Sequence, residues 1–350
     1  MNPALTGLFV GLLFGFILQR GRFCMNSAFR DVVTLKDYTL LKSVGAALLV
    51  MMAGFAIMDM TDIITLNPKP LTWGANLLGS FLFGIGMVIA GGCASGITYR
   101  TGEGMVGAIT AVLGLAIGGY WTAAGFLKEF KDNLQASTKI MSDEGASLTL
   151  ANVLGIDHVL LAFIIVIIVA VIWIVLARKS GETDVWGSGS GTLSERIFKH
   201  GWGWLTTGIL IGLVGMVAFP LSAEAGRNYP LGITAGWVGI VKKVLNFSNA
   251  EVSLGWISWL IIGIVGGALI AALIAGEFKF RVPAVGTLVQ TFIGGLLMGF
   301  GAVCSGGCNI GHLLSGVPQL SLGSILAGIS IVLGSWVTAY IIFVRPQKAA

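Results

Sequence analysis

The chain has 350 residues, 55% of them hydrophobic and only 11% charged, with a mean hydropathy of +0.90 and a formal net charge of +5. A soluble domain cannot bury so much apolar surface beneath a charged exterior, so the composition excludes that class and indicates an integral membrane protein. The excess of basic residues calls for no nucleic-acid partner, because cytoplasmic loops of membrane proteins are basic in any case.

Nine apolar runs approach the roughly 20 residues that a spanning helix needs. The alternating ten-residue pattern of a β-barrel is not seen. Backbone groups in lipid must be satisfied within the segment, so the expected fold is an all-α polytopic membrane protein. The first run, Leu5–Leu18, is short, and part of it is compatible with a half-helix. It lacks a basic leader and continues into Gln19-Arg20-Gly21-Arg22 without a small-residue cleavage site, so it reads as a span and not as a cleaved signal. A polar interruption, GRFCMNSAFRD (Gly21–Asp31), follows and holds Cys24. The next spans are Leu40–Met58, Leu71–Ala90 and Gly104–Phe126. Two soluble-looking segments, Lys128–Asp157 and Arg178–Gly201, flank the fifth span, His158–Ala177. The second contains Gly187-Ser188-Gly189-Ser190-Gly191, a flexible linker by composition. The remaining spans are Trp204–Phe219, Leu254–Ala275, Thr287–Val303 and Leu322–Val344, and the apolar stretch Gly232–Leu245 reads as a short re-entrant helix.

Basic residues concentrate in the loops that follow alternate spans: Arg20, Arg22, Arg30, Lys36 and Lys42, then Arg100, then Arg178, Lys179, Arg196 and Lys199, then Lys279 and Arg281, then Arg345 and Lys348. The positive-inside rule puts these loops in the cytoplasm, with the N-terminus outside and the C-terminus inside.

Two segments superpose. LFGIGMVIAGGCASG (Leu82–Gly96) lies over LMGFGAVCSGGCNIG (Leu297–Gly311), matching the core Gly91, Gly92, Cys93 and Gly96 to Gly306, Gly307, Cys308 and Gly311. A weaker echo joins Gly7-x-x-x-Gly11 to Gly208-x-x-x-Gly212. Spans one to four and six to nine therefore read as two copies, and the single span between them inverts the second. The expected organisation is residues 1–126 as the first repeat, 127–202 as the linking span with its loops, and 203–350 as the second repeat, all in one membrane domain. In inverted repeats the binding site lies near the midplane, where interrupted helices present freed N–H groups. The Gly-Gly pairs break the helices and put Cys93 and Cys308 at matching breaks that enter from opposite faces.

Of the four cysteines, Cys304 aligns with Ile89 and reads as ordinary helix packing. No zinc pattern is present, since CxxC and HExxH are both missing and there are only three His. Thiols are weak, polarisable donors, suited to a ligand with a soft sulfur end. Arg100 and Glu103, at i and i+3, form either an interfacial ion pair or a device that draws an anion onward. His312 is either a structural hydrogen-bonding group or a ligand, and Asn309 and Gln319 could donate to sulfonate oxygens. Arg22 and Arg30 read as positive-inside anchors, and Trp73, Trp121, Trp204, Trp256 and Trp259 as interface belts.

With these residues the chain resembles the YeeE/YedE family of bacterial inner-membrane sulfur-compound transporters. The resemblance is carried by GRFCMNSAFRD, GMVIAGGCASGITYRTGEG (Gly86–Gly104), YPLGIT (Tyr229–Thr234), AGEFKFR (Ala275–Arg281) and GGLLMGFGAVCSGGCNIGHLLSGVPQLS (Gly294–Ser321). It implies an hourglass-shaped helical protein with re-entrant helices that takes up thiosulfate. It also implies that Cys24, Cys93 and Cys308 pass the anion along by S–H···S hydrogen bonds, without a cofactor or metal. A small cytoplasmic sulfur carrier of the TusA type is the implied partner. The alternatives are uptake of another sulfur or selenium compound, or a membrane redox protein that relays sulfane sulfur as persulfides. The lack of a base near each thiol and of any haem or flavin motif weighs against the relay and against an enzyme.

Overall fold

The computed structural model describes residues 2–142, 145–180, 185–187, 192–246 and 253–346. The linker read at Gly187–Gly191 lies outside them from Ser188 onward, as does Lys348. The helices in chain order are α1 (Pro3–Arg20), α2 (Met25–Thr34), α3 (Thr39–Met60), α4 (Trp73–Ile89), α5 (Ala94–Gly102), α6 (Val106–Ala123), α7 (Lys128–Ser137), α8 (Leu150–Leu154), α9 (His158–Ser180), α10 (Leu193–Phe198), α11 (Trp204–Glu224), α12 (Thr234–Leu245), α13 (Trp256–Ile274), α14 (Val285–Cys304) and α15 (Leu322–Ala339). Two short strands, β1 (Leu71–Thr72) and β2 (Lys139–Ile140), pair antiparallel. Among the described residues nine helical segments are long and apolar enough to cross a bilayer, so the protein is an all-α polytopic membrane protein.

The first span is a full helix of 18 residues, which corrects the half-helix expectation. Asn2 caps it by accepting the Ala4 N–H, Pro3 opens it, and it runs on through Gln19 and Arg20 because both side chains find partners inside the protein. The polar segment after Cys24 is also helical. In α2 the buried residues Met25, Asn26, Ala28 and Phe29 form one face, which packs on α3 and α15.

Helices pair across the two halves of the chain. α1 lies along α13 as α11 lies along α3, α6 along α14 as α4 lies along α15, and α2 packs on α3 and α15 as α12 packs on α13 and α6. Glycines permit this closeness. A Cβ on Gly11 would stand 2.2 Å from the Leu260 carbonyl oxygen, so α1 can approach α13 only with glycine there. A Cβ on Gly208 would meet the Ser43 carbonyl oxygen at 2.6 Å, which gives the Gly7/Gly208 echo a packing reason. The fifth span, α9, packs mainly on α3 and turns Leu160, Ile164, Ile167 and Ile168 outward, as a lipid-facing helix would.

Candidate functional site

The first break follows α4. Gly91 takes a left-handed conformation (φ +71°), the chain turns through Gly92, and Cys93 caps the new helix α5, its sulfur accepting the Gly96 N–H at 3.3 Å. Cys24 occupies the cap position of α2. Two helix N-termini, each carrying partial positive charge, thus converge on one pair of thiols. Both cysteines are free and buried, and Cys24 Sγ donates to Cys93 Sγ across 3.7 Å. Ser95 Oγ lies 3.3 Å from Cys93 Sγ. Gly96 makes the room: a Cβ there would stand 2.7 Å from Cys24 Sγ and 3.3 Å from Cys93 Sγ.

The second break follows α14 and repeats the geometry. Gly306 is left-handed (φ +83°), Gly307 and Cys308 follow, and a π-helical turn, Ile310–Leu314, begins beyond them. Cys308 lies at the wall of a vestibule of about 580 Å³. Lys69 and Arg227 line it too, and no Asp or Glu is among its lining residues. Lys69 Nζ donates to the Gly306 carbonyl and stands 4.9 Å over the Tyr229 ring, while the Tyr229 hydroxyl donates to the Gly311 carbonyl at 2.7 Å. On the opposite face Arg100 donates to the Gly91 carbonyl at 2.9 Å, beside a cavity of about 380 Å³ that also holds Arg281 and again no acid. Each break therefore ends in a carbonyl neutralised by a cation, so the negative end of the preceding helix does not repel an approaching anion.

The vestibule lowers Lys69 to about 8. Desolvation is the main cause, the nearby Arg227 charge adds to it, and Cys308 opposes it. Arg227 is lowered to about 10, mainly by burial, and burial pushes the Tyr229 hydroxyl up. At neutral pH both cations are charged, and Lys69 is the one that neutralises as the pH passes 8.

Arg100 and Glu103 do not pair with each other, which corrects the ion-pair reading; the helix turn between them points the guanidinium back over the break. Glu103 instead accepts from Gln19 (3.0 Å) and Arg22 (2.9 Å). Gln19, Arg20 and Arg22 also reach Glu277. Arg22 is thus a member of this polar cluster at the ends of α1, α5 and α13 and more than an anchor, whereas Arg30 pairs with its neighbour Asp31. Arg20 is almost fully buried and donates further to Gln19 and to the Phe198 carbonyl. Arg20→Met should lower stability by about 2 kcal/mol, since charged hydrogen bonds are lost while the stem packing is kept. Thermal unfolding in detergent should show the loss, with substrate concentration dependence unchanged in the folded fraction.

The other candidates separate. His312 is buried, with Nε2 3.1 Å from the Ser305 carbonyl and Nδ1 3.2 Å from Ser324 Oγ, so Nε2 donates, Nδ1 accepts, and neither is left for a ligand. Gln319 is likewise used, accepting from the Asn67 N–H and donating to the Ser315 carbonyl. Asn309 donates to the Met25 thioether at 3.0 Å, and its buried oxygen has no partner among the described residues. Gly307 and Gly311 lie against the Lys69 ammonium. Cys304 is buried beside Gly79 in the α14–α4 contact. Trp256 is buried and donates to Thr6 Oγ1, which corrects its reading as a belt residue. Lys69, Arg227 and Tyr229 were not singled out from sequence as site residues. Tyr229 lies in YPLGIT and Arg227 two residues before it, whereas nothing in the α3–α4 loop, which also holds Asp62, marks Lys69.

The sulphur-transport family matches residues 20–337 of this chain. A thiosulfate transporter TsuA from Spirochaeta thermophila is 42% identical over 348 residues, covering 97% of this chain and 99% of its own length. The thiosulfate transporter TsuA of Escherichia coli is 30% identical over 354 residues, covering 99% of this chain and 96% of its own. A probable transporter YedE of Escherichia coli matches more locally, 40% identical over 78 residues, 22% of this chain and 20% of its own. Spanning helices, paired cysteine breaks and near-complete coverage agree, and the chain belongs to the sulphur-transport family.

Proposed function

We propose that this protein transports thiosulfate into the cell and is not an enzyme. The observation that carries the reading is the Cys24–Cys93 thiol contact beneath two helix N-termini, matched by Cys308 in an acid-free cationic vestibule. Thiosulfate has a soft terminal sulfur and three sulfonate oxygens. Thiols can hold the first weakly, and helix N-termini and cations favour the second. Weak, successive contacts let an ion both enter and leave.

The exchange of helix pairings between the halves supports reading residues 1–126 and 203–350 as inverted copies about the linking region 127–202. Basic loops support an inner-membrane protein with its N-terminus outside, which makes the Cys308 vestibule the outer mouth and the Arg100 cavity the inner one. In this reading the anion meets Cys308 first and then the Cys93–Cys24 pair, and a TusA-like carrier collects sulfur at the inner mouth. Impermeant thiol reagents added to intact cells should label Cys308, with thiosulfate protecting it. Faster labelling of Cys24 than of Cys308 from outside would reverse the orientation.

Transport should also depend on pH. Lys69 holds its proton at pH 7 and has mostly lost it at pH 9, while thiosulfate stays a dianion, so capture weakens as the pH rises through about 8. The charged and titratable groups facing Lys69 are Arg227, Tyr229, Cys308 and His312. Uptake at limiting thiosulfate should fall between pH 7 and 9, and Lys69→Arg should flatten the profile. An unchanged slope in Lys69→Arg would remove Lys69 from capture.

A further inference from the structure

The vestibule holds a second polar group that the paired-cysteine scheme does not use. Thr234 opens α12, a helix of 12 residues, and lines the same cavity as Cys308. Thr234 is 4% exposed, and its hydroxyl has no hydrogen-bond partner among the described residues. Three nearby hydroxyls are engaged: Tyr229 on the Gly311 carbonyl, Ser315 on the Leu231 carbonyl and Ser222 on the Tyr229 carbonyl. A buried hydroxyl left without a partner costs about 1–3 kcal/mol, so one kept at a cavity wall calls for a partner that arrives. The Thr234 and Ala235 amides have no acceptor within the helix and add partial positive charge at the same point, whereas the Gly236 amide is taken by the Ile233 carbonyl. Lys69 and Arg227 supply full charge nearby. On the other side of the membrane path the corresponding short helix, α2, offers the thiol of Cys24 at its cap.

We propose that the Thr234 hydroxyl and the first two amides of α12 bind the oxygen end of the anion in the vestibule while Cys308 holds its sulfur end. The vestibule site then grips a two-ended ligand, whereas the Cys24–Cys93 site presents two thiols. Selection for an anion with both a sulfonate-like end and a soft sulfur end is made at the vestibule, before the anion reaches the buried pair. This assignment rests on the thiosulfate reading given above.

Thr234→Ala and Thr234→Ser test it, because both lose the methyl or its equivalent volume and only the first loses the hydroxyl. In proteoliposomes, Thr234→Ala should need about tenfold more thiosulfate for half-maximal uptake, the scale of one hydrogen bond to a charged ligand, with uptake at saturation little changed. Thr234→Ser should stay within about twofold of the parent protein. A binding readout independent of transport is protection of Cys308 from an impermeant maleimide. Thiosulfate protection should shift by the same factor in Thr234→Ala, and sulfate, which has oxygens and no soft sulfur, should protect the parent weakly and Thr234→Ala not at all. If no thiosulfate crosses the membrane but these protection shifts appear, the transport reading fails and the subsite stands. Equal shifts in the alanine and serine variants, or no shift in either, overturn the assignment of Thr234.

Discussion

Cys308→Ala and Cys93→Ala should each reduce thiosulfate uptake to background while the protein still reaches the membrane and melts normally in detergent. Alanine keeps the small apolar volume and removes the sulfur contact that the residue itself offers at that step. Each site is buried, so the lost packing is limited to one sulfur atom, on the order of 1 kcal/mol. That is too little to unfold the chain and leaves loss of the path as the cause. Cys304→Ala is the internal control. It removes the same atom from the same helix end, but from the α14–α4 packing contact, so uptake should stay close to that of the parent protein. Cys→Ser variants at positions 93 and 308 keep a donor and lose the soft sulfur, and should fall between parent and alanine. An inactive Cys304→Ala beside an active Cys308→Ala would mean that the Gly-Gly-Cys alignment assigns the wrong thiol. Uptake of radiolabelled thiosulfate normalised to folded protein reads all five variants.

Gly96→Ala should be nearly as severe, through geometry alone. The added methyl would sit 2.7 Å from Cys24 Sγ and 3.3 Å from Cys93 Sγ, both in a fully packed region, so one thiol must rotate away and the 3.7 Å contact is lost. Overpacking costs roughly 1–3 kcal/mol, and replacing glycine by alanine inside a helix returns up to about 1 kcal/mol. The fold should therefore survive while uptake drops by about tenfold or more, the effect of about 1.4 kcal/mol at a transport barrier. Gly226→Ala provides the comparison. Gly226 is left-handed with no atom near its missing Cβ, so it pays strain only and lies away from the thiols. Uptake retained in Gly96→Ala at the parent level would show that the two thiols need not touch for transport.

Much of this arrangement can be read from the sequence because membrane constraints are strong. Apolar length gave the spans to within a few residues, and the Gly-Gly-Cys register located both breaks. What escaped depends on contacts between distant parts of the chain. Cys24 and Cys93 are 69 positions apart, and nothing in either segment announces that their sulfurs meet. Helix α2 was hidden because MNSAFRDVVT is polar overall, and its helicity comes from one face packing on α3 and α15. Arg100 and Glu103 looked like an i,i+3 pair, yet a carbonyl freed by the break is the better partner for one, and a cluster drawn from three helices takes the other. Lys69 and Arg227 lie in loops outside the matched motifs, and Thr234 closes YPLGIT without any sign there of a cavity. Their role emerges only once the chain closes a cavity around Cys308.

The central claim is that the anion crosses whole, held by sulfur hydrogen bonds and never covalently joined to a cysteine. Thiosulfate labelled separately in its sulfane or its sulfonate sulfur tests this in proteoliposomes of the purified protein. The account predicts that both labels enter at equal rates and are recovered inside as thiosulfate, with Cys24, Cys93 and Cys308 unmodified by mass spectrometry. Sulfane label entering or accumulating on a cysteine as a persulfide, while sulfonate label stays outside as sulfite, would contradict it.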